Sequence, residues 1–178
     1  MKTWVGDMTR LFGREGAICI TTNGFVKKNG QCVMGKGIAK TIATRWPAHQ
    51  STLGTLITLH GNIVQPIFPY LKTVFVSFPV KPVSVISTGK NCVSHMHFTP
   101  GTIIPGWAAK ADKHIITTSF HRLITLTDQY NWPAVALPLP GCGAGELSWK
   151  NDVEPIVTEL HLDDRFIFCS FKAEDFNK

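Results

Sequence analysis

Short apolar segments of strand length, alternating with segments of helical periodicity, are the feature that most restricts how this chain can fold. The apolar segments are rich in Val, Ile and Phe and are bounded by Pro or Gly, as buried strands usually are. They occupy residues 18–22, 73–78, 83–87, 134–139 and 166–171. Helical spacing of apolar residues occurs at residues 38–46, 108–130 and 151–160. This alternation predicts an α/β fold in which helices cover a mostly parallel sheet.

The composition predicts a single domain that spans residues 1–178. Hydrophobic residues make up 44% of the chain and charged residues 17%, which is ordinary for a protein with one buried core. No apolar run approaches the roughly 20 residues of a membrane span, and the first residues include an acid and a glycine where a signal peptide would be apolar. The five cysteines are an odd number without a CxxC pair, which indicates reduced thiols. We therefore expect a cytoplasmic protein.

The chain is basic, with a formal net charge of +6 and a pI near 9.2. A basic surface favours a polyanionic partner such as a nucleotide or a nucleic acid. Solubility alone explains such a charge equally well, so the charge by itself selects no function.

Two glycines flank a lysine where the first helical segment begins, since Gly35, Lys36 and Gly37 precede Ile38. Glycine lets a backbone approach a ligand closely, and the free N–H groups of a helix N-terminus carry partial positive charge. This arrangement suits a phosphate or a carboxyl oxygen. It is not a P-loop, because no Ser or Thr follows the lysine, and it is not a GxGxxG motif. A tight turn with a solvated lysine is the alternative interpretation.

A second glycine-rich segment, residues 136–149, leaves the end of the fourth predicted strand and contains alternating Gly141, Gly143 and Gly145. Two such loops at strand ends would converge on one crevice at the carboxyl edge of the sheet, where open α/β sheets bind ligands. A diphosphate fits a crevice of this kind.

Four short motifs, taken together, resemble the macrodomain family. They are GDM at residues 6–8, ITTNG at residues 20–24, VMGKGIA at residues 33–39 and LPGCGAGELSW at residues 139–149. Their order and spacing are most similar to the branch that holds the DarG antitoxin macrodomain and the terminal ADP-ribose protein glycohydrolase. The resemblance covers most of the chain and implies a three-layer α/β/α sandwich with a mixed, mostly parallel sheet.

The resemblance also implies that ADP-ribose is the ligand and that it lies across the carboxyl edge of the sheet. Asp7 matches the family aspartate that accepts a hydrogen bond from the adenine amino group, although a helix or turn cap is the alternative role for it. The family's loop around the distal ribose matches Asn23, Gly35, Lys36, Gly37 and Ile38. Its loop around the diphosphate matches Gly141, Cys142, Gly143, Ala144, Gly145, Glu146 and Leu147. The resemblance implies no metal and no other cofactor.

The same branch has a lysine on or just after a central strand, and Lys81 stands at the matching place. Independently of the resemblance, its neighbours Phe78, Pro79, Val80 and Pro82 indicate a partly desolvated side chain. A neutral amine is a nucleophile that can attack the anomeric carbon of the distal ribose or form a Schiff base with the opened sugar, whereas an ammonium group can assist the leaving group. A lysine that extends from a strand end into water is the alternative.

One position departs from the pattern of the terminal ADP-ribose protein glycohydrolase. Where that enzyme has its catalytic aspartate, this chain has Gly145, and the antitoxin branch also has a glycine there. The glycine makes ADP-ribosylated DNA a more suitable substrate than an amino acid ester on a protein, and the positive charge agrees with DNA. The first hypothesis is therefore an antitoxin-like ADP-ribosyl glycohydrolase, a monomer that acts on ADP-ribosylated DNA or protein with Lys81 as the catalytic residue. A non-catalytic ADP-ribose binding module and an ADP-ribose 1''-phosphate phosphatase are the alternatives.

Residues 88–106 and Phe171 are two further candidates for a functional role. The irregular residues 88–106 have the length of a functional lid. Within them Cys92, His95 and His97 are residue types that bind zinc, but a fourth ligand at suitable spacing is missing, so a lid is the favoured interpretation. Phe171 follows the last predicted strand and is either an aromatic partner for adenine or an ordinary core residue.

Overall fold

A six-stranded sheet separates two pairs of helices in the computed structural model, which describes all residues from 1 to 178. The strands are β1 (Lys2–Val5), β2 (Gly16–Thr22), β3 (Gln65–Tyr70), β4 (Thr73–Pro79), β5 (Ser84–Ile86), β6 (Ile103–Pro105), β7 (Val135–Pro138) and β8 (Phe166–Ser170). The helices are α1 (Gly37–Arg45), α2 (His49–His60), α3 (Lys113–Gln129) and α4 (Glu154–Glu159). Strands β5 and β6 form a separate two-stranded sheet.

The six strands of the main sheet follow the order β1-β8-β7-β2-β4-β3, and every neighbouring pair is parallel except β3 with β4. Parallel pairing brings the carboxyl ends of β7, β2 and β4 to the same edge of the sheet. Strand β3 lies at the other side of β4 and contains Pro66 and Pro69, which an edge strand tolerates because one row of its N–H groups has no strand partner.

Two hydrophobic cores lie on opposite faces of the sheet. Along β2, Ala17 and Cys19 belong to the core under α3 and α4, whereas Ile18 and Ile20 belong to the core under α1 and α2. This alternation is the two-residue period of a strand that is covered on both faces. The predicted three-layer α/β/α sandwich with a mixed, mostly parallel sheet is therefore confirmed.

Four of the five predicted buried strands belong to the main sheet; residues 83–87 do contain a strand, but the prediction that it is buried is wrong. This segment forms the short strand β5, which pairs only with β6 and leaves Ile86 64% exposed. Val85 packs on a small separate cluster around Cys92, Ile104 and Ala108 rather than between sheet and helices. We call residues 83–110, which leave the main fold after β4 and return before α3, the excursion.

The sequence patterns missed β1, β3, β6 and α2 and placed two helix boundaries incorrectly. Helix α3 begins at Lys113 rather than near residue 108, because the Asp112 carboxylate caps it by accepting hydrogen bonds from the N–H groups of His114 and Ile115 at 2.8 and 3.1 Å. The predicted helix at residues 151–160 is a π-helical turn, Trp149–Val153, followed by α4. No helix of the protein combines the length and the apolarity that a membrane crossing requires.

Helix α2 packs its backbone directly on a loop, and this contact generates a stability prediction. A Cβ atom added at Gly54 would overlap the carbonyl oxygen of Gly30 and lie 3.1 Å from the Cys32 nitrogen. We expect Gly54→Ala to lower the free energy of unfolding by about 2 kcal/mol or more, because backbone atoms cannot yield as a side chain can. Thr55→Ala, at an exposed position of the same helix, is the control and should change stability little. The measurement is chemical denaturation of both variants. Equal denaturation midpoints for the two variants would contradict the close contact.

Candidate active site

A two-lobed cleft lies at the carboxyl ends of β7, β2 and β4. The large lobe has a volume of about 480 Å³ and the second, which we call the lysine lobe because Lys81 lines it, has about 330 Å³. Both lobes share Gly37 and Ile38 on one wall and Gly143 on the other, together with Pro138 and Leu139 at the end of β7. The two glycine loops therefore meet across one continuous cleft of the kind that open α/β sheets use for ligands.

The first glycine loop presents the N-terminus of α1 to this cleft. Lys36 is the cap residue of α1, but no side chain caps the helix, so the first N–H groups have no side-chain acceptor. Gly37 has a φ of +57°, a left-handed conformation that favours glycine. A Cβ atom at Gly35 or Gly37 would meet no atom within 4 Å, so both glycines border open space. An anion in the cleft would thus find free N–H groups and the positive end of a helix.

The second glycine loop, residues 141–147, is packed tightly on its inner side. Gly141 has a φ of +78°, and a Cβ atom there would lie 2.9 Å from the Leu147 side chain. At Gly145 a Cβ atom would lie 2.5 Å from the Gly141 carbonyl oxygen and 2.6 Å from the Ala111 Cβ. Gly145 is the position at which the terminal ADP-ribose protein glycohydrolase has an aspartate. In this protein a side chain does not fit there unless the loop moves.

Lys81 lies two residues beyond β4, and only 5% of the residue is exposed. Its ammonium nitrogen donates hydrogen bonds to the carbonyl oxygens of Ala144, at 2.7 Å, and Trp107, at 3.4 Å. Burial, with a contribution from the charge of Lys36, lowers the pKa of Lys81 to about 8 despite the opposing charge of Glu146. An appreciable fraction of the amine is therefore neutral near neutral pH. Lys81 does not extend into water as the alternative interpretation required.

The large lobe brings together Asp7 and Phe171. The Asp7 carboxylate accepts a hydrogen bond from the Thr9 N–H at 2.9 Å, so it caps the short 3-10 helix Met8–Leu11, and this bond lowers the pKa of Asp7. Phe171 is 73% exposed and is therefore not a core residue. An exposed ring beside a carboxylate suits a planar heterocycle that carries an amino group.

The lysine lobe contains Asn23, whose side chain makes two hydrogen bonds that hold the first loop. Its amide nitrogen donates to the Val33 carbonyl at 2.9 Å, and its amide oxygen accepts from the Phe25 N–H at 2.9 Å. Asn23 thus shapes the wall of the lobe through the backbone of the segment that leads to Gly35.

Sequence reasoning missed several residues that line the lysine lobe, among them Thr22 and Trp107. Thr22 is 3% exposed, lines the lobe, and its hydroxyl has no hydrogen-bond partner. A buried hydroxyl without a partner is costly unless a ligand or water binds it. The TTNG segment at the end of β2 was a usable signal for Thr22, whereas Trp107 reaches the lobe only because the excursion returns there.

Of the residues predicted for the site, Glu146 alone lines neither lobe. Its carboxylate is turned to the excursion, where both of its oxygens accept hydrogen bonds from Ser94. Cys92 is buried in the small cluster of the excursion, with its thiol 3.2 Å from the Met96 carbonyl oxygen. No three His, Cys, Asp or Glu side chains of the protein are grouped to hold a metal ion.

The sequence matches no protein-family model and no curated protein. The structure, in contrast, is similar to the macrodomain of Mycobacterium tuberculosis DarG, at 19% identity and a TM-score of 0.66 over 94% of this chain and 95% of the other. It is also similar to the macrodomain of Thermus aquaticus DarG, at 17% identity and a TM-score of 0.62 over 96% and 97% of the two chains. A third similar structure is Thermosipho africanus DarTG in complex with ADP-ribose, at 14% identity and a TM-score of 0.66; this chain aligns over its whole length with 46% of that one. The chain therefore has the macrodomain fold.

Proposed function

We propose that this protein binds ADP-ribose along the two-lobed cleft and removes it from a modified acceptor, with an ADP-ribosylated nucleobase in DNA as the substrate and an antitoxin-like role. The adenine would occupy the large lobe beside Asp7 and Phe171. The diphosphate would lie between Gly37 and Gly143, where both lobes share their walls. The distal ribose would then reach the lysine lobe. The ADP-ribose complex of Thermosipho africanus DarTG, of which 46% aligns with this chain, supports this choice of ligand.

The observation that carries the catalytic part is the chemistry of the lysine lobe. No carboxylate and no histidine lines it, so Lys36 and Lys81 are its only titratable side chains. Lys81 is the one that is buried, and its lowered pKa makes the neutral amine accessible. A reaction at the distal ribose therefore has one nucleophilic group of this chain beside it.

In the proposed reaction the neutral Lys81 amine attacks the anomeric carbon while the bond from this carbon to the acceptor nitrogen breaks. The acceptor leaves with a proton, and the lysine adduct opens to a Schiff base. Water then adds to the adduct, which restores the amine and releases ADP-ribose. The net change is the addition of one water molecule across the glycosidic bond.

The first prediction concerns Lys81 itself. On ADP-ribosylated single-stranded DNA, Lys81→Ala should lower kcat by about a hundredfold or more, because the reacting group is absent. Lys72→Ala removes an exposed lysine from the opposite end of β4 and is the matched control. Mass spectrometry of the DNA and of the released ADP-ribose is the measurement, and reduction with cyanoborohydride should add the mass of the sugar to the wild type. Full turnover by Lys81→Ala would remove the lysine from the mechanism.

The pH dependence of kcat distinguishes the roles of the two forms of the lysine. The pKa of Lys81 is lowered to about 8, so the protonated form predominates below this pH and the neutral form above it. If the neutral amine is the nucleophile, kcat rises with pH and levels off above about 8. A decline of kcat through the same range would instead assign leaving-group assistance to the ammonium form.

Adenine binding in the large lobe generates a third prediction. We expect Phe171→Ala to weaken ADP-ribose binding about tenfold, because a base that stacks on an aromatic ring loses that contact. Tyr130→Ala removes another half-exposed ring, at the end of α3 and away from both lobes, and serves as the control. Isothermal calorimetry with ADP-ribose is the measurement; equal affinities for the two variants would place the adenine elsewhere.

A non-catalytic ADP-ribose module is the second candidate, because the Lys81 nitrogen is already engaged with two backbone carbonyls. Tight binding of ADP-ribose without cleavage of ADP-ribosylated DNA or protein would assign this function. Release of inorganic phosphate from ADP-ribose 1''-phosphate would assign the phosphatase alternative.

A further inference from the structure

The two carbonyl groups that hold the Lys81 nitrogen belong to different segments of the chain. Ala144 lies in the second glycine loop, whereas Trp107 lies in the excursion. The location of the amine within the lysine lobe therefore depends on how these two segments are placed relative to each other.

Glu146 connects the same two segments. Its Oε1 accepts a hydrogen bond from the Ser94 N–H at 2.7 Å, and its Oε2 accepts one from the Ser94 hydroxyl at 2.6 Å. The Lys110 ammonium lies 3.5 Å from Oε2. All three donors belong to the excursion, so one carboxylate ties the glycine loop to two points of that segment. Hydrogen bonds to an ionised carboxylate are stronger than neutral ones, and those from Ser94 hold the pKa of Glu146 below its usual range.

The backbone of Glu146 is in an unfavourable conformation. Its φ is +61°, in the left-handed region that costs free energy for a residue with a Cβ atom. Glycine adopts this conformation without that cost, and the loop already contains three glycines. Strain of this kind persists where the surroundings impose it. At Glu146 the surroundings are the contacts with Ser94 and Lys110, which a glycine would lose.

Ser94 is itself held in place from within the excursion. It follows Val93, which is 3% exposed and donates a backbone hydrogen bond to Ala108 at 2.9 Å. Ala108 is the residue after Trp107. The excursion thus connects Ser94 to the Trp107 carbonyl over a short buried path.

We propose that Glu146 is a positioning residue. The two hydrogen bonds that its carboxylate accepts from Ser94, which we call the clasp, set the separation of the Ala144 and Trp107 carbonyls and thereby place the Lys81 nitrogen in the lysine lobe. The carboxylate acts through Lys81 and does not contact ADP-ribose. The kinetic consequence rests on the function proposed above, whereas the effect on the position of the lysine does not.

The test compares Glu146→Gly, Glu146→Gln and the control Glu159→Gln, which removes an exposed carboxylate at the end of α4. Glu146→Gly breaks the clasp and relieves the backbone at the same time, so the variant should remain folded with an unchanged or higher Tm. Glu146→Gln keeps an acceptor for Ser94 and should retain part of the effect of the wild type.

Nuclear magnetic resonance of 13C-labelled lysines, without ligand, gives the readout that is independent of activity. Charges from two elements face the Lys81 amine, namely Lys36 on the first loop and Glu146 on the second. Glu146→Gly and Glu146→Gln both remove the carboxylate charge, so a lower titration of Lys81 in both variants reports the loss of charge alone. We expect the Lys81 signal of Glu146→Gly to be shifted from that of Glu146→Gln, which keeps an acceptor for Ser94, and the signal of Glu159→Gln to be that of the wild type. Identical Lys81 signals in Glu146→Gly and Glu146→Gln would overturn the proposal.

Kinetics on ADP-ribosylated DNA give the second readout. We expect Glu146→Gly to lower kcat about tenfold through misplacement of the amine, with Glu146→Gln in between and the Kd for ADP-ribose unchanged. A Kd that rises in step with the loss of kcat would make Glu146 a ligand contact and refute the positioning role. If the wild type cleaves no ADP-ribosyl linkage, the proposed function fails, and the lysine signals still decide whether the clasp places Lys81.

Discussion

The parallel pairing of β2 with β4 and β7 is the constraint on which the site depends. Thr22 pairs with Pro79 at the end of β2, and β7 lies on the other side of β2 in the same direction. Chain segments that follow these three strands must therefore leave from one edge of the sheet. The first glycine loop, Lys81 and the second glycine loop come together there because they are the continuations of β2, β4 and β7, in that order.

The electrostatic character of the cleft follows from the polar groups at this edge of the sheet that have no side-chain partner. The N-terminus of α1 has no side-chain cap, Lys36 stands at its first turn, and the second loop faces it with further backbone. These groups make the cleft attractive to an anion. Burial of Lys81 within the same cleft would be unfavourable for a fixed charge, and its lowered pKa reduces that cost by making the neutral form accessible. One environment thus favours an anion and lowers the pKa of Lys81.

The excursion contributes one residue, Trp107, to the wall of this cleft. A standard α/β connection from β4 to α3 would need only a short loop, whereas this chain inserts a two-stranded sheet with its own small core. The insertion is anchored to the second glycine loop by Glu146, and immediately after its end the Ala111 N–H donates to the Gly145 carbonyl at 3.0 Å. Its return brings Trp107 to the lysine lobe. The irregular sequence between residues 88 and 106 is therefore structured, but the only residue of the excursion that lines the cleft is Trp107, which follows it.

The sequence by itself determined the central strands, the helices with strong apolar periodicity and the two glycine loops at strand ends, because these depend on local composition and spacing. It did not reveal β3, whose prolines are acceptable only at a sheet edge, or α2, whose Gly54 is required by a neighbouring loop. Glu146 shows the same limit within the site, since its place in the loop was readable but its direction was not. The neighbours of Lys81 had indicated its desolvation. Only the tertiary structure decided the direction of Glu146 and the carbonyl partners of the Lys81 nitrogen, because both result from contacts between segments that are more than 20 residues apart in the chain.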